Sequence, residues 1–249
     1  MAEMAGKLEN LVLWSDGVLL AINKPAGLPT LPDGYHPEQP YVGSLLEPDF
    51  GRVWFVHRLD RQTSGILVLA LSAESHRSLN CQFEKRQVSK NYHGLVQGNP
   101  SWTEKLVKLP LRPNGDRRHR TVVDPRRGKP CQTELRVLER FGKYALVEAI
   151  PRTGRTHQVR AHLAALGLPL VGDSLYGDGA GIFLSKLKPG YQESRLPERA
   201  LIDRLGLHAR TLSFAHPLTG EKMCLEAPYP KDFGLALRQL RKHCSPGAG

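Results

Sequence analysis

The sequence predicts an α+β chain: a mixed, mostly antiparallel sheet flanked by helices. Three observations lead there. Short apolar or alternating runs recur between Gly- and Pro-rich turns, the pattern of hairpins. Helical stripes are few and do not alternate regularly with strands, as a doubly wound parallel sheet would require. The run Ile66-Leu67-Val68-Leu69-Ala70-Leu71 has no polar alternation, so it reads as a strand covered on both faces. With 249 residues, 40% of them hydrophobic, the chain can bury a full core as one large domain or two small ones.

Residues 11 to 24 read strand, Asp16-Gly17 turn, strand. Pro25, Gly27, Pro29 and Pro32 then break regular structure, and residues 27 to 51 read as a loop with one short element at Ser44 to Leu46. After the buried strand, Ser72 is a candidate N-cap for a helix running to about Arg86, with Leu79 and Phe83 on its apolar stripe. Lys90 to Gly98 is a short strand carrying Tyr92. Arg112 to Lys129 holds seven Lys/Arg and two Asp broken by Pro and Gly, a basic ribbon that fits a solvated face or a phosphate-contacting arm equally well. Thr133 to Glu139 and Tyr144 to Ile150 read as strands joined through Phe141-Gly142-Lys143. Thr133, Leu135 and Val137 mark the buried side of the first.

Thr153 or Thr156 is placed to cap a helix ending at Gly167, whose buried stripe is Val159, Leu163 and Leu166. Arg160 lies at the edge of that stripe, where an arginine calls for an acidic partner or a phosphate. Residues 169 to 177 are turn-rich, and Gly179 to Gly206 reads as a charged, irregular insertion. His208 to His216 and Glu221 to Ala227 form a last hairpin. Lys231 to His243 is a basic helix, and Ser245 to Gly249 should fray.

The chemistry centres on Val56-His57-Arg58-Leu59-Asp60-Arg61-Gln62-Thr63-Ser64-Gly65, a polar loop feeding the buried strand. Thr63 and Ser64 are suited to stiffening a turn through hydrogen bonds to nearby backbone, and Gly65 allows a sharp bend. Asp60 is then held between Arg58 and Arg61, whose charge favours its ionised form. A surface salt bridge and a reactive carboxylate both fit that arrangement. The net charge of +11 points to a polyanionic partner, nucleic acid first. The four cysteines are dispersed, without a Cys-x-x-Cys pair, and His157 and His162 are five apart. No metal site and no disulfide framework are expected. No apolar run reaches the roughly 18 residues of a membrane span. No signal peptide is evident in residues 1 to 10, so a cytoplasmic location is expected.

His57-Arg58-Leu59-Asp60-Arg61-Gln62-Thr63-Ser64-Gly65 resembles the signature of the RluA-type pseudouridine synthases. Three further blocks follow that family's order: Leu20-Ala21-Ile22-Asn23-Lys24-Pro25-Ala26-Gly27, Lys90-Asn91-Tyr92, and Thr153-Gly154-Arg155-Thr156-His157-Gln158-Val159-Arg160, the last continued by Gly167-Leu168-Pro169-Leu170-Val171-Gly172-Asp173. The resemblance runs from about residue 11 to 228. It implies a single catalytic domain over 11–243, between short tails at 1–10 and 244–249. Only about ten residues precede that domain, so the small N-terminal RNA-binding domain carried by many relatives is not expected here.

The resemblance implies that uridine in RNA is isomerised to pseudouridine by base flipping. Asp60 would be the nucleophile, Tyr92 would pack on the flipped base and assist proton removal, and Arg160 would pair with Asp60. Arg58 would fill the space the base vacates. Arg61, Arg117, Arg118, Arg152, Arg155 and His157 are the other candidate RNA contacts. An isomerisation needs no cofactor, and the expected partner of a monomeric enzyme is ribosomal or transfer RNA. Two other readings fit fewer of these features. A catalytically idle RNA-binding relative would not need Asp60, Tyr92 and Arg160 together. An unrelated aspartate hydrolase would need a second acid or base block that the chain lacks.

Overall fold

The computed structural model describes residues 11–192 and 196–244. The expected tails at 1–10 and 245–249 lie outside the described residues, whereas Cys244 ends a helix rather than starting a tail. The described residues form two compact units, one of residues 11–91 and 208–228, the other of residues 92–192, 196–207 and 229–244.

In the first unit, β1 (Val12–Ser15) and β2 (Leu19–Lys24) form the expected antiparallel hairpin. Its turn is closed by Asp16, whose Oδ1 accepts the backbone N–H groups of Val18 and Leu19 at 2.9 and 3.0 Å. Residues 42–50 are a longer element than expected: Val42–Phe50 is a full helix, α1. Pro48 suggests a break, but it lies in the last turn, and the N-terminal turn is secured by reciprocal Tyr41–Ser44 hydrogen bonds.

A two-residue strand, β3 (Trp54–Phe55), leads into the signature loop and then β4 (Ser64–Ala70), which is buried throughout, as the unalternated run predicts. β4 pairs antiparallel with β2 and β3. It pairs in parallel with β11 (Leu207–Ala215) at Ser64↔His208 and Gly65↔Ala209. Gly65 is required there: its φ is +116°, and a Cβ would sit 2.2 Å from the Ala209 carbonyl oxygen. β12 (Lys222–Glu226) completes the last hairpin on β11. The helix α2 (Ala73–Glu84) starts at Ser72, whose Oγ accepts the Ser75 N–H. Gln82 of α2 bonds both backbone groups of Ala215, tying the helix to β11.

The second unit is built on β5 (Ser89–Gln97), which begins in the first unit, with β10 (Tyr144–Pro151), β9 (Thr133–Phe141) and β6 (Glu104–Val107), all antiparallel neighbours in that order. Thr133, Leu135 and Val137 face inward, as their alternation predicts. Against them pack Val159 and Leu163 of α3 (Gln158–Ala165), with Leu166 at the margin. The N-terminus of α3 departs from expectation. Neither Thr153 nor Thr156 caps it: His157 is the N-cap, in a left-handed conformation with φ 53° and no side-chain cap bond. The basic ribbon is a small sheet of its own, β7 (Leu111–Arg112) paired with β8 (Val122–Val123).

The stretch 179–206 is more ordered than the irregular insertion expected, although its residues 193–195 lie outside the described residues. Ile182 bridges Ile202, and both share a buried cluster with Leu187, Leu201 and the apolar face of α4 (Lys231–Cys244). Apolar residues at 182, 187, 201 and 202 supply this packing; the polar residues between them obscured it. No helix among the described residues is long and apolar enough to cross a membrane.

Candidate active site

The candidate residues fall in both units, and each half is built by a different local logic. In the first unit, the loop from β3 to β4 presents Asp60 half-buried and Arg58 exposed. Three successive peptides of this loop are tied down. Thr30, itself buried, grips the Leu59 peptide from both sides: its hydroxyl donates to the Leu59 carbonyl at 2.8 Å and accepts the Leu59 N–H at 3.2 Å. The Thr63 N–H donates to the Asp60 carbonyl at 3.0 Å, closing a turn. The Arg61 carbonyl accepts the Gly27 N–H at 2.8 Å and the Lys24 ammonium at 3.2 Å. Lys24 is fully buried and also donates to the Pro25 and Leu28 carbonyls. Arg61 turns its Nε to the Gly27 carbonyl at 3.0 Å, so this candidate RNA contact also closes the loop against the first family block.

The turn-stiffening role expected of the Thr63 and Ser64 hydroxyls is not what the structure shows. The backbone of Thr63 closes the turn, and its buried hydroxyl has no hydrogen-bond partner among the described residues. Ser64 instead bonds the buried imidazole of His208 at 3.0 Å, and that ring's Nε2 reaches the Ala227 carbonyl at 3.1 Å.

His57 has a role the sequence does not reveal. β3 pairs with β4 at residues 69 and 70, and β11 pairs with it at 64 and 65. Between them, Nε2 of His57 accepts the Val68 N–H at 3.0 Å, so a side chain carries the ladder across the gap. Accepting there requires the neutral Nδ1–H tautomer. Burial, with nearby Lys90 adding to it, pushes the His57 pKa down to about 3. The ring stacks on Phe83 at 4.9 Å, and the Lys90 ammonium lies 5.8 Å from the same Phe83 ring. Burial also lowers the Lys90 pKa.

In the second unit, Tyr92 lies on β5 opposite Ala149, its ring half-buried against the cluster that includes Val159 and Leu163. Arg160, on α3, forks onto Asp173: Nε and Nη2 each donate to a carboxylate oxygen at 2.8 Å. Asp173 is the acidic partner of Arg160 within this unit. Its Oδ1 also accepts the N–H groups of Leu175 and Tyr176, both at 3.1 Å. The guanidinium carbon of Arg160 stands 5.0 Å over the Tyr176 ring. The Tyr176 hydroxyl accepts the Thr121 N–H at 2.9 Å and bonds Nδ1 of His157 at 3.1 Å. Burial pushes the Tyr176 phenol above its ordinary pKa, so it remains protonated.

The loop before α3 is pinned by Gln158. Its Oε1 accepts from the Thr153 hydroxyl and the Arg155 N–H, while its Nε2 donates to the Gln132 carbonyl and Thr133 Oγ1. Thr133 passes the chain on to Nδ1 of His162, whose Nε2 meets the Leu109 carbonyl. Burial lowers the His162 pKa, in keeping with a neutral ring.

The remaining basic candidates separate by how they are used. Arg152 forks onto Glu134 at 2.8 and 2.7 Å on the surface. Arg118 donates to the Ser174 carbonyl at 2.8 Å, so it anchors the hairpin as well as charging it. Arg117 on the hairpin and Arg126, Arg127 and Lys129 just after it are exposed. Arg155 is half-buried, and its Nε has no hydrogen-bond partner among the described residues. Among the described residues no group of three or more His, Cys, Asp or Glu side chains is arranged to hold a metal ion.

Known proteins resemble this chain over most of its length. The family model described as RNA pseudouridylate synthase matches residues 18–165. The dual-specificity RNA pseudouridine synthase RluA of Escherichia coli K12 is 37% identical over 220 residues, 88% of this chain and 92% of that protein. The ribosomal large subunit pseudouridine synthase D of Pseudomonas aeruginosa is 36% identical over 245 residues, covering 96% of this chain and 74% of the relative. Among solved structures, human RNA pseudouridylate synthase domain containing 4 matches with a TM-score of 0.74 at 28% identity, over 96% of each chain.

Proposed function

This chain belongs to the RNA pseudouridylate synthase family and is an enzyme that isomerises uridine in RNA to pseudouridine, and on that premise we propose that Asp60 is its nucleophile. The observation that carries this reading is the immobilised loop. Thr30, Thr63, Gly27 and Lys24 fix the backbone at residues 59 to 61, so the carboxylate is offered from a preorganised support. The reaction balances without a co-reactant. The C1′–N1 bond of the nucleotide breaks, a C1′–C5 bond forms, the proton on C5 is lost, and N1 regains one.

In this proposal Tyr92 packs on the flipped base and assists loss of the C5 proton. Arg160 acts as the cation that pairs with the nucleophile, its own rotamer held by Asp173. Arg58 fills the space left by the base, whose extrusion costs a few kcal/mol and is cheapest in unpaired loops. Arg117 and Arg118 on the hairpin, with Arg126 and Arg127 just after it, supply phosphate contacts, joined by Arg61, Arg152, Arg155 and His157. The substrate is a structured ribosomal or transfer RNA; the ribosomal choice is supported by the name of the Pseudomonas aeruginosa relative, a ribosomal large subunit pseudouridine synthase. Residues 11–243 act together as one monomeric catalytic domain in the cytoplasm. The idle reading draws no support from relatives named as synthases.

Pseudouridine mapping of transcripts treated with purified protein tests the proposal. Wild type should modify defined uridines, and Asp60→Asn should fall to about one thousandth of that rate or less while retaining most of its RNA affinity. Near-wild-type turnover by Asp60→Asn would overturn the nucleophile assignment.

A further inference from the structure

The basic hairpin β7–β8 and the Arg160 guanidinium meet on one short turn, residues 173–176. On one side the turn receives the hairpin. Arg118 donates to the Ser174 carbonyl, Arg120 to the Leu175 carbonyl at 3.3 Å, and the Thr121 N–H to the Tyr176 hydroxyl. On the other side it holds α3. Asp173 forks with Arg160, the Tyr176 ring lies beneath the guanidinium, and the Tyr176 hydroxyl bonds His157, the strained N-cap. The packing has the same two-sided form. Tyr176 and Val123 of the hairpin lie against a buried cluster of Leu111, Cys131 and Ala161, and Ala161 is the helical neighbour of Arg160. Tyr176 therefore touches the hairpin backbone with its hydroxyl and Arg160 with its ring face.

We propose that Tyr176 is a positioning residue that couples the basic hairpin to Arg160, so that RNA gripped by the hairpin meets an arginine already oriented. The physical basis is division of labour within one side chain. Asp173 fixes two donors of the guanidinium but leaves rotation about the pair uncorrected; an aromatic face beneath it sets the plane. The hydroxyl supplies no such plane. It fixes the height of the hairpin by taking a backbone donor at its inner end. The two functions are separable by substitution, which a purely structural tyrosine would not allow. The proposal rests on the reading of Arg160 as a site residue and of the hairpin as an RNA contact.

The test compares Tyr176→Phe with Tyr176→Leu in the full chain, after confirming by thermal melting that both fold. Two readouts are taken: the NMR signal and hydrogen-exchange rate of the Arg160 Nε–H, and kcat and KM on a transcript that wild type modifies. Tyr176→Leu should speed Arg160 Nε–H exchange and lower kcat, each about tenfold, the size expected for losing a desolvated cation–π contact. Tyr176→Phe should leave both at wild-type values and raise KM severalfold, because only the hairpin anchor is lost. Wild-type exchange and kcat in Tyr176→Leu, or equal kcat losses in both variants, would overturn the coupling. Should wild type prove inactive on every RNA tried, the functional reading fails, and the Nε–H exchange rates still decide whether Tyr176 orients Arg160.

Discussion

Replacing Thr30 by valine removes one oxygen and leaves the shape of the side chain almost intact. That oxygen serves both ends of the Leu59 peptide, accepting its N–H and donating to its carbonyl. Thr30 and Leu59 are 3% and 4% exposed, so water does not readily replace the lost partner. A buried donor or acceptor left unsatisfied costs about 1–3 kcal/mol, which for the two groups together gives about 2–6 kcal/mol of lost stability. The loop also loses its fixed point one residue before Asp60. A displacement on the order of 1 Å at a reacting group lowers turnover by about a hundredfold. Urea unfolding and single-turnover pseudouridine formation measure the two effects, with Thr30→Ser, which keeps the hydroxyl, as the rescuing variant. A Thr30→Val protein within about 0.5 kcal/mol of wild type, the ordinary scatter of surface substitutions, and equally active would refute the idea that this clamp defines the loop.

Acid should destabilise the first unit through His57. Its folded pKa of about 3 lies below the ordinary value of 6.5, so the unfolded chain takes up a proton that the folded chain refuses. Stability is then full above pH 6.5 and is lost as pH falls toward 3, by roughly 2 kcal/mol at pH 5; His57→Gln should show a correspondingly shallower decline in urea midpoints, and parallel curves would contradict the assignment. Gly65→Ala places a Cβ 2.2 Å from the Ala209 carbonyl oxygen at a φ of +116°, which should cost on the order of 3–5 kcal/mol and show as a large drop in melting temperature. Arg117→Glu on the exposed hairpin should weaken RNA binding and reduce the salt slope of the binding constant by about 1; an unchanged slope would mark Arg117 as a solvated charge.

What the sequence made legible was local. The unalternated run at 66–71 declared a strand covered on both faces, Ser72 declared a helix start, and Asp16-Gly17 and Phe141-Gly142-Lys143 declared their hairpins, because each depends on neighbours within a few residues. The site was legible as a list of residues, not as an arrangement. Thr30 grips a peptide 29 residues away, His57 replaces a missing strand, and Tyr176 receives a backbone donor 55 residues distant. None of these roles leaves a periodic or compositional trace, since each is defined by long-range contact alone. The helix at 42–50 exceeds the short element expected at 44–46 because the loop reading drawn from Pro25, Gly27, Pro29 and Pro32 extends past residue 41, where the chain turns helical, and the one proline inside the helix, Pro48, sits in its last turn. The cap of α3 was missed because His157 adopts a backbone conformation that no propensity argument would assign to it.

The strand that backs the signature loop is nearly the last to be synthesised. β11 joins β4 in parallel at residues 208 and 209, about 140 positions after the residues it pairs with. The unit that carries Asp60 is thus interrupted in the chain by almost the whole of the other unit. During translation the β5–β10–β9–β6 sheet, built within one continuous stretch, has its partners available early. The loop bearing Asp60 gains the backbone beside Gly65 only after residues 208–228 have left the ribosome. A nascent chain stalled before that point holds the complete signature and lacks the strand that pairs with its last two residues.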